Sequence, residues 1–110
     1  MQTVEHLTNV MKTLADPTRR AVFERIMSER EVTAGSLVAR SRVSQPAVSQ
    51  HLRALRDAGL VSERKEGRHI HYRVRREGFE PLVNWLDRWS IFWNERFDNL
   101  EQYLKETPRE

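Results

Sequence analysis

Residues 44–60 constrain the fold most, because both ends of this segment have the signals of a capped helix. Ser44 can accept a hydrogen bond from a backbone N–H of the first turn. Pro46 lies where a helix does not use the N–H that proline lacks. Gly59 lies where a residue of left-handed conformation closes a helix. The segment therefore predicts a helix over residues 44–58.

The two faces of this helix differ in chemistry at about 100° per residue. One face is mostly apolar and comprises Ala47, Val48, His51, Leu52, Ala54, Leu55 and Ala58. The other face contains amides, a hydroxyl and guanidiniums but no carboxylate, on Gln45, Pro46, Ser49, Gln50, Arg53 and Arg56. Any surface helix has a solvated face, but amides pair with adenine, and arginine pairs with guanine or phosphate. We therefore predict that this face contacts DNA.

A basic hairpin follows the helix. Apolar and polar residues alternate over residues 69–74, which predicts a half-buried strand, and Gly67 can supply the turn before it. Arg64, Lys65 and Arg68 lie near the predicted tip. A basic tip can be a solvated loop and nothing more, but directly after a polar-faced helix it is well placed to reach a phosphate backbone or a minor groove.

The charge distribution indicates the same partner. Residues 40–76 contain ten Lys or Arg and three Asp or Glu, a local charge of +7. Residues 77–110 contain four and eight, a local charge of −4, and residues 1–39 contain five of each. Positive charge concentrated on the predicted helix and hairpin is typical of a surface that binds a polyanion.

The remaining helices place this helix in a familiar motif. Apolar residues from Val4 to Leu14 have helical spacing, and Asp16 is positioned to cap the next helix. Thr33 is positioned to cap a short helix that ends near residue 39, and a tight turn over residues 41–43 leads to Ser44. Two short helices joined in this way form a helix-turn-helix, whose second helix enters the major groove.

A long C-terminal helix is predicted over residues 79–105, and it holds seven of the nine aromatic residues. Trp85, Trp89 and Trp93 recur every fourth residue and form a stripe. One domain of 110 residues can cover only part of this stripe in its own core. We therefore predict a dimer interface, where aromatic residues are enriched, and rank a ligand pocket among the tryptophans below it.

The order and spacing of several segments resemble the ArsR/SmtB group of bacterial winged-helix repressors. The matching segments are residues 14–20, residues 49–52 with Leu55, residues 58–61, and residues 64–74. The resemblance implies a mainly α winged helix-turn-helix with a small β-hairpin, built as one domain over residues 1–110. It also implies a cytoplasmic homodimer, associated with the nucleoid when bound, that pairs through its first and last helices. The expected interface residues are Val4, Leu7, Met11, Trp85, Trp89, Phe92, Trp93 and Phe97.

Many members of that group sense metals, but their ligands are missing from this sequence. There is no cysteine, residues 34–40 contain no metal ligand, and residues 79–105 contain no histidine. Asp87, Glu95 and Asp98 alone would make a poor zinc site. His69 and His71 share one side of a strand, on an exposed basic hairpin where we expect solvation or nearby phosphate. We therefore expect no metal and no cofactor.

The sequence thus predicts a sequence-specific DNA-binding repressor that is a homodimer, is not an enzyme and does not span a membrane. No catalytic motif and no apolar run of 18 residues is present. A winged-helix module that binds only proteins, and a sensor of an unidentified small ligand, remain as alternatives. The expected DNA contacts are Arg42, Ser44, Gln45, Pro46, Ser49, Gln50, Arg53, Arg56, Lys65 and Arg68.

Overall fold

The computed structural model describes the backbone of residues 2–106 and the side chains of residues 4–106. It contains five helices and three short strands over this range, which confirms the predicted mainly α fold with a small β-hairpin. The elements are α1 (Gln2–Ala15), α2 (Pro17–Glu29), β1 (Glu31–Thr33), α3 (Ala34–Ala39), α4 (Gln45–Asp57), β2 (Val61–Glu66), β3 (His69–Val74) and α5 (Arg76–Glu106).

Three helices begin at the residues that the sequence nominated as caps. The side chain of Asp16 accepts a hydrogen bond from the Arg19 backbone N–H at 3.0 Å. The Thr33 hydroxyl accepts one from Ser36 at 3.1 Å. Ser44 caps α4 through a longer contact with its first turn, at 3.4 Å. Each cap satisfies a backbone donor that the helix itself leaves without a partner.

The C-terminus of α4 is closed as predicted by Gly59, whose φ is +77°. The Gly59 N–H donates to the carbonyl of Arg56 at 2.9 Å, and the Leu60 N–H donates to that of Leu55 at 3.0 Å. This pair of hydrogen bonds is the Schellman motif, which requires a left-handed residue that glycine adopts without strain. The helix therefore ends at a fixed point, directly before β2.

The sheet is larger than the predicted hairpin, because β1 adds a third antiparallel strand in the order β1-β3-β2. Tyr72 lies opposite both Val32 in β1 and Glu63 in β2. Val32, Val61 and Tyr72 are buried on the inner face of the sheet. Three residues are too few to show strand alternation, so β1 has no recognisable pattern in the sequence.

The core lies between the inner face of the sheet, α2, and the apolar face of α4. Val48, Leu52 and Leu55 of α4 are buried, as the helical spacing predicted. From α2, Phe23 packs against Phe79 of α5 with ring centroids 5.5 Å apart. The core therefore fixes α4 from one side only, and its polar face stays on the surface.

Helix α5 begins at Arg76, three residues before the predicted start. Its third residue, Gly78, passes very close to the end of α4. A Cβ atom on Gly78 would lie 1.7 Å from the carbonyl oxygen of Gly59. His6 of α1 reaches the same place, with its Nε2 atom 3.1 Å from the Gly78 carbonyl oxygen. Gly78 is therefore a packing requirement, which the sequence did not reveal.

Replacing Gly78 by alanine should therefore destabilise the protein strongly, because the new methyl group overlaps backbone that has little freedom to move. We expect a loss of about 3 kcal/mol or more, which is at the high end for single substitutions. Urea unfolding followed by circular dichroism would measure it.

Gly35→Ala is the matched control, because Gly35 lies in α3, where an added methyl group would have no other atom within 4 Å. This change should be neutral or stabilising by about 0.4–1 kcal/mol. Equal stability of the two alanine variants would contradict the close packing of Gly78 on Gly59.

Candidate nucleic-acid interface

The exposed face of α4 is the face that the sequence selected for DNA. All six polar-arc residues are exposed, whereas the seven residues of the opposite arc are mostly buried or half-buried. The exposed six are Gln45, Pro46, Ser49, Gln50, Arg53 and Arg56. One carboxylate also lies on this face, contrary to the prediction, because Asp57 in the last turn is exposed on the same arc and contacts Arg56 at 3.6 Å. The first three turns carry only amides, a hydroxyl, a proline and a guanidinium there, and a convex face of this kind has the shape and the donors that a major groove accommodates.

The turn between α3 and α4 is held by polar contacts. The Ser41 hydroxyl accepts a hydrogen bond from the Val43 backbone N–H at 3.0 Å. Arg40 forms an ion pair of 2.7 Å with Glu29 of α2. Arg42 lies between these two anchored positions and is exposed, directly before the turn reaches the cap of α4. The turn therefore presents Arg42 beside the N-terminus of α4, where the helix dipole also favours an anion.

His51 links α4 to α2. It is half-buried, as predicted for a packing residue, and its Nδ1 atom accepts a hydrogen bond of 3.3 Å from the Nε–H of Arg19. This bond requires the proton of a neutral His51 ring to be on Nε2. The sequence did not reveal the Arg19 partner, because the two residues are 32 positions apart.

The hairpin of β2 and β3, here called the wing, turns at Gly67, whose φ is +61°. Lys65 and Arg68 are exposed beside this turn. Neither forms an ion pair with any residue in the described part of the chain. Their charges are therefore available to a phosphate backbone.

Three other basic side chains of the wing are paired within the protein. Glu31 of β1 lies 2.8 Å from Arg64, 3.1 Å from the Nδ1 atom of His71 and 3.7 Å from Arg73. Arg64 also contacts Glu66. His71 is consequently half-buried against Glu31 and not fully solvated as we expected. The reason is β1, which the sequence did not predict and which brings Glu31 alongside β3.

Arg56 differs from its neighbours on the polar face of α4, because it is already paired. Its Nη1 atom lies 2.9 Å from the carboxylate of Glu63 in β2, and its Nη2 atom lies 3.6 Å from Asp57. The hydrogen bond with Glu63 is the main reason why the pKa of Arg56 is raised. The sequence placed Arg56 on the correct face but did not show this partner.

A second surface lies along the C-terminal half of α5. Trp89 is 44% exposed, Trp93 53% and Phe97 61%, and these rings contact one another or Phe92. Arg96 lies 4.5 Å above the ring of Phe92. Such a wide apolar surface on a single chain marks an interaction site. Other expected interface residues in α1 are also exposed, namely Val4 and Met11, whereas Leu7 is half-buried.

We find no further chemical site in the region that the structure describes. No three His, Cys, Asp or Glu residues within residues 2–106 are grouped closely enough to hold a metal ion. No helix within the same range combines the length and apolarity that are needed to cross a bilayer.

Helices α3 and α4, the turn that joins them and the adjacent basic hairpin together define a winged helix-turn-helix. Residues 14–64 match the model of a family described as a helix-turn-helix domain. The chain is 36% identical over 104 residues to the HTH-type transcriptional regulator Rv2034 of Mycobacterium tuberculosis, a match that covers 94% of each protein. It is 30% identical over 80 residues to the transcriptional repressor SdpR of Bacillus subtilis, a match that covers 73% of this chain and 88% of SdpR.

The fold agrees with these sequence matches. An ArsR-like transcriptional regulator from Rhodococcus sp. RHA1 superposes with a TM-score of 0.72 at 30% identity, over 97% of this chain and 100% of that one. The chain therefore belongs to the ArsR/SmtB-type family of winged helix-turn-helix transcriptional regulators, as its sequence motifs indicated. It is a DNA-binding transcriptional regulator.

Proposed function

We propose that this regulator is a homodimeric repressor that binds an inverted-repeat operator. The observation that carries the proposal is the exposed face of α4, whose first three turns carry Gln45, Ser49, Gln50 and Arg53 and no carboxylate, beside a wing whose Lys65 and Arg68 form no ion pair within residues 4–106. An amide-rich helix supplies base contacts, and a basic hairpin supplies phosphate contacts. The SdpR relative is itself named a transcriptional repressor, which favours repression over activation.

The proposal gives roles to the exposed side chains of this surface other than Arg56, which is paired with Glu63. Gln45, Ser49 and Gln50 contact base edges, and Arg53 contacts a base or a phosphate. Pro46 lies among them on the same face and fixes the first turn. Ser44 caps the helix and directs its dipole at a phosphate. Phosphates are also held by Arg42, Lys65 and Arg68.

The apolar surface of α5, together with the exposed side of α1, is the proposed dimer interface. A two-fold dimer presents two copies of α4 that are related by the same symmetry. Two such helices enter successive major grooves when they lie about 34 Å apart, which is one turn of DNA. The operator should therefore be an inverted repeat. In this proposal the dimer acts in the cytoplasm, on the nucleoid, and needs no metal.

The direct test is to sequence the genomic DNA fragments that the purified protein retains, and to use the enriched fragment in gel shifts. We expect a fragment that contains an inverted repeat and that competes strongly with unrelated DNA. A protein that retains no fragment above background would instead be a module for protein binding.

Gln50→Ala should weaken operator binding by about 1–3 kcal/mol in each half-site if its amide pairs with a base, which is about 30-fold to 10⁴-fold for the dimer. Affinity for unrelated duplex DNA should change little, since that binding depends on phosphate contacts. Gln102→Ala is the matched control, because Gln102 lies on α5 and hydrogen-bonds to Glu106 at 3.1 Å. An equal loss on operator and unrelated DNA would refute a base contact by Gln50.

A further inference from the structure

The link between Arg56 and Glu63 joins the two elements that the proposed function brings to DNA. Arg56 lies in the last turn of α4, and Glu63 is the third residue of β2. Their side chains meet at 2.9 Å across the closed end of the helix. The link is partly shielded, since the Glu63 side chain is 35% exposed and the Arg56 side chain 42%.

The same residue also lies beside the second strand of the wing. Glu63 is directly opposite Tyr72 in the β2–β3 register, so the two side chains are neighbours on one face of the sheet. Tyr72 is buried, and its burial, followed by the negative charge of Glu63, raises the pKa of its hydroxyl. The residue that pairs with α4 is therefore also a cross-strand neighbour of the second strand of the wing.

The link between Arg56 and Glu63 lies near the base of the wing, so a small rotation there moves the tip by a larger distance. The tip at Gly67 lies four residues beyond Glu63, or about 13 Å at 3.3 Å per residue. A rotation of about 10° at the base would move the tip by about 2 Å, which is enough to break a hydrogen bond to a phosphate. The covalent connection from α4 through residues 58–60 enters only one of the two strands.

We propose that Glu63 is a positioning residue for DNA binding. Its carboxylate pairs with Arg56 beside Tyr72, and so holds the wing at the distance from α4 at which both elements reach one duplex. The inference rests on the proposed function and deepens it. The sequence placed Arg56 among the DNA contacts. In this proposal, Arg56 instead pairs with Glu63 inside the protein.

The alternative is that Arg56 binds a phosphate and that Glu63 competes for it in the free protein. The two mechanisms predict opposite signs for removal of Glu63. If Glu63 positions the wing, Glu63→Ala weakens operator binding even though it removes a negative charge near DNA. If Glu63 competes, the same variant frees Arg56 and strengthens binding.

Fluorescence anisotropy on the enriched operator would measure this sign. We expect Glu63→Ala to weaken binding about threefold to tenfold, and Glu63→Gln to recover part of the loss because its amide oxygen still accepts from Arg56. Glu66→Ala is the matched control. It removes the same charge from the same strand, but Glu66 contacts Arg64 and not α4, so its affinity should stay equal or rise.

A coupling measurement separates positioning from a general loss of structure. In the wild type, Arg68→Ala at the wing tip should lower operator affinity. In the Glu63→Ala background, the same change should lower the logarithm of the affinity by less than half as much. An unchanged cost of Arg68→Ala in both backgrounds, or tighter binding by Glu63→Ala, would overturn the proposal. Failure of the wild type to bind any operator would instead refute the proposed function.

Tyr72 provides an optical check on the position of Glu63. In a Tyr103→Phe background, the absorbance of tyrosinate reports Tyr72 alone, since the chain has two tyrosines. Glu63→Gln should lower the pKa of Tyr72, because a neutral partner no longer opposes the tyrosinate charge. An unchanged Tyr72 pKa would show that Glu63 does not lie beside Tyr72 in solution and would overturn the proposal.

Discussion

Trp93→Ala is expected to convert the proposed dimer into monomers and to abolish operator binding, although Trp93 is far from α4 in the sequence. An interface tryptophan at the centre of a hot spot contributes about 2 kcal/mol or more. A two-fold interface contains two copies of it, so the dimer dissociation constant should rise about 10³-fold. Sedimentation velocity at micromolar concentration would measure the change. Trp93 is 53% exposed in the single chain, so its loss opens no large cavity within one protomer.

Ile91→Ala is the control for this experiment. Ile91 is 70% exposed and lies two residues before Trp93, about 200° away around the helix, so it points away from the aromatic surface. Its truncation should leave both the dimer and operator binding intact. A wild-type protein that is monomeric at micromolar concentration and still binds its operator fully would refute the dimer mechanism.

Salt should weaken binding of the wild type to any duplex by a large factor. A dimer that makes about 6–10 phosphate contacts releases a similar number of counterions, so affinity should fall about 10³- to 10⁵-fold between about 50 and 200 mM salt. Lys65 and Arg68 on the two wings account for up to four of these contacts. Anisotropy titrations over a series of salt concentrations would give the slope of log affinity against log salt.

Lys65→Ala and Arg68→Ala should each make this slope shallower by about 2 in the dimer, at about 0.9 per phosphate contact in each subunit, without a change of sequence preference. Arg64→Ala should have a smaller effect, because Arg64 is already engaged by Glu31 and Glu66. A flat salt response of the wild type would be incompatible with phosphate binding by the wing.

The features that the sequence predicted correctly are those set by neighbours in the chain. A cap such as Ser44 acts within three residues, and Gly59 is required by the conformation of one residue. The two faces of α4 follow from a period of 3.6 residues. For the same reason, the helical period named six of the seven exposed residues of α4, and it missed only Asp57 at the last position.

The features that the sequence did not predict depend on residues distant in the chain. Glu31 meets Arg64 across 33 positions, and that contact exists only because a three-residue strand joins the sheet. The approach of Gly78 to Gly59 likewise has no local signal. Which arginines are neutralised, and where α5 begins, were consequently beyond a prediction from pattern and composition.

The meeting of Gly59 and Gly78 bears on which operators a dimer can distinguish. With the His6 side chain of α1 at the same point, the end of α4, the start of α5 and the first helix form a close-packed joint. In the proposed dimer, such a joint would hold α4 at a fixed position and angle relative to the subunit interface. One base pair inserted between two half-sites rotates one of them by about 34–36° and moves it by about 3.4 Å. A dimer with this joint should therefore discriminate operators by spacer length as well as by base sequence.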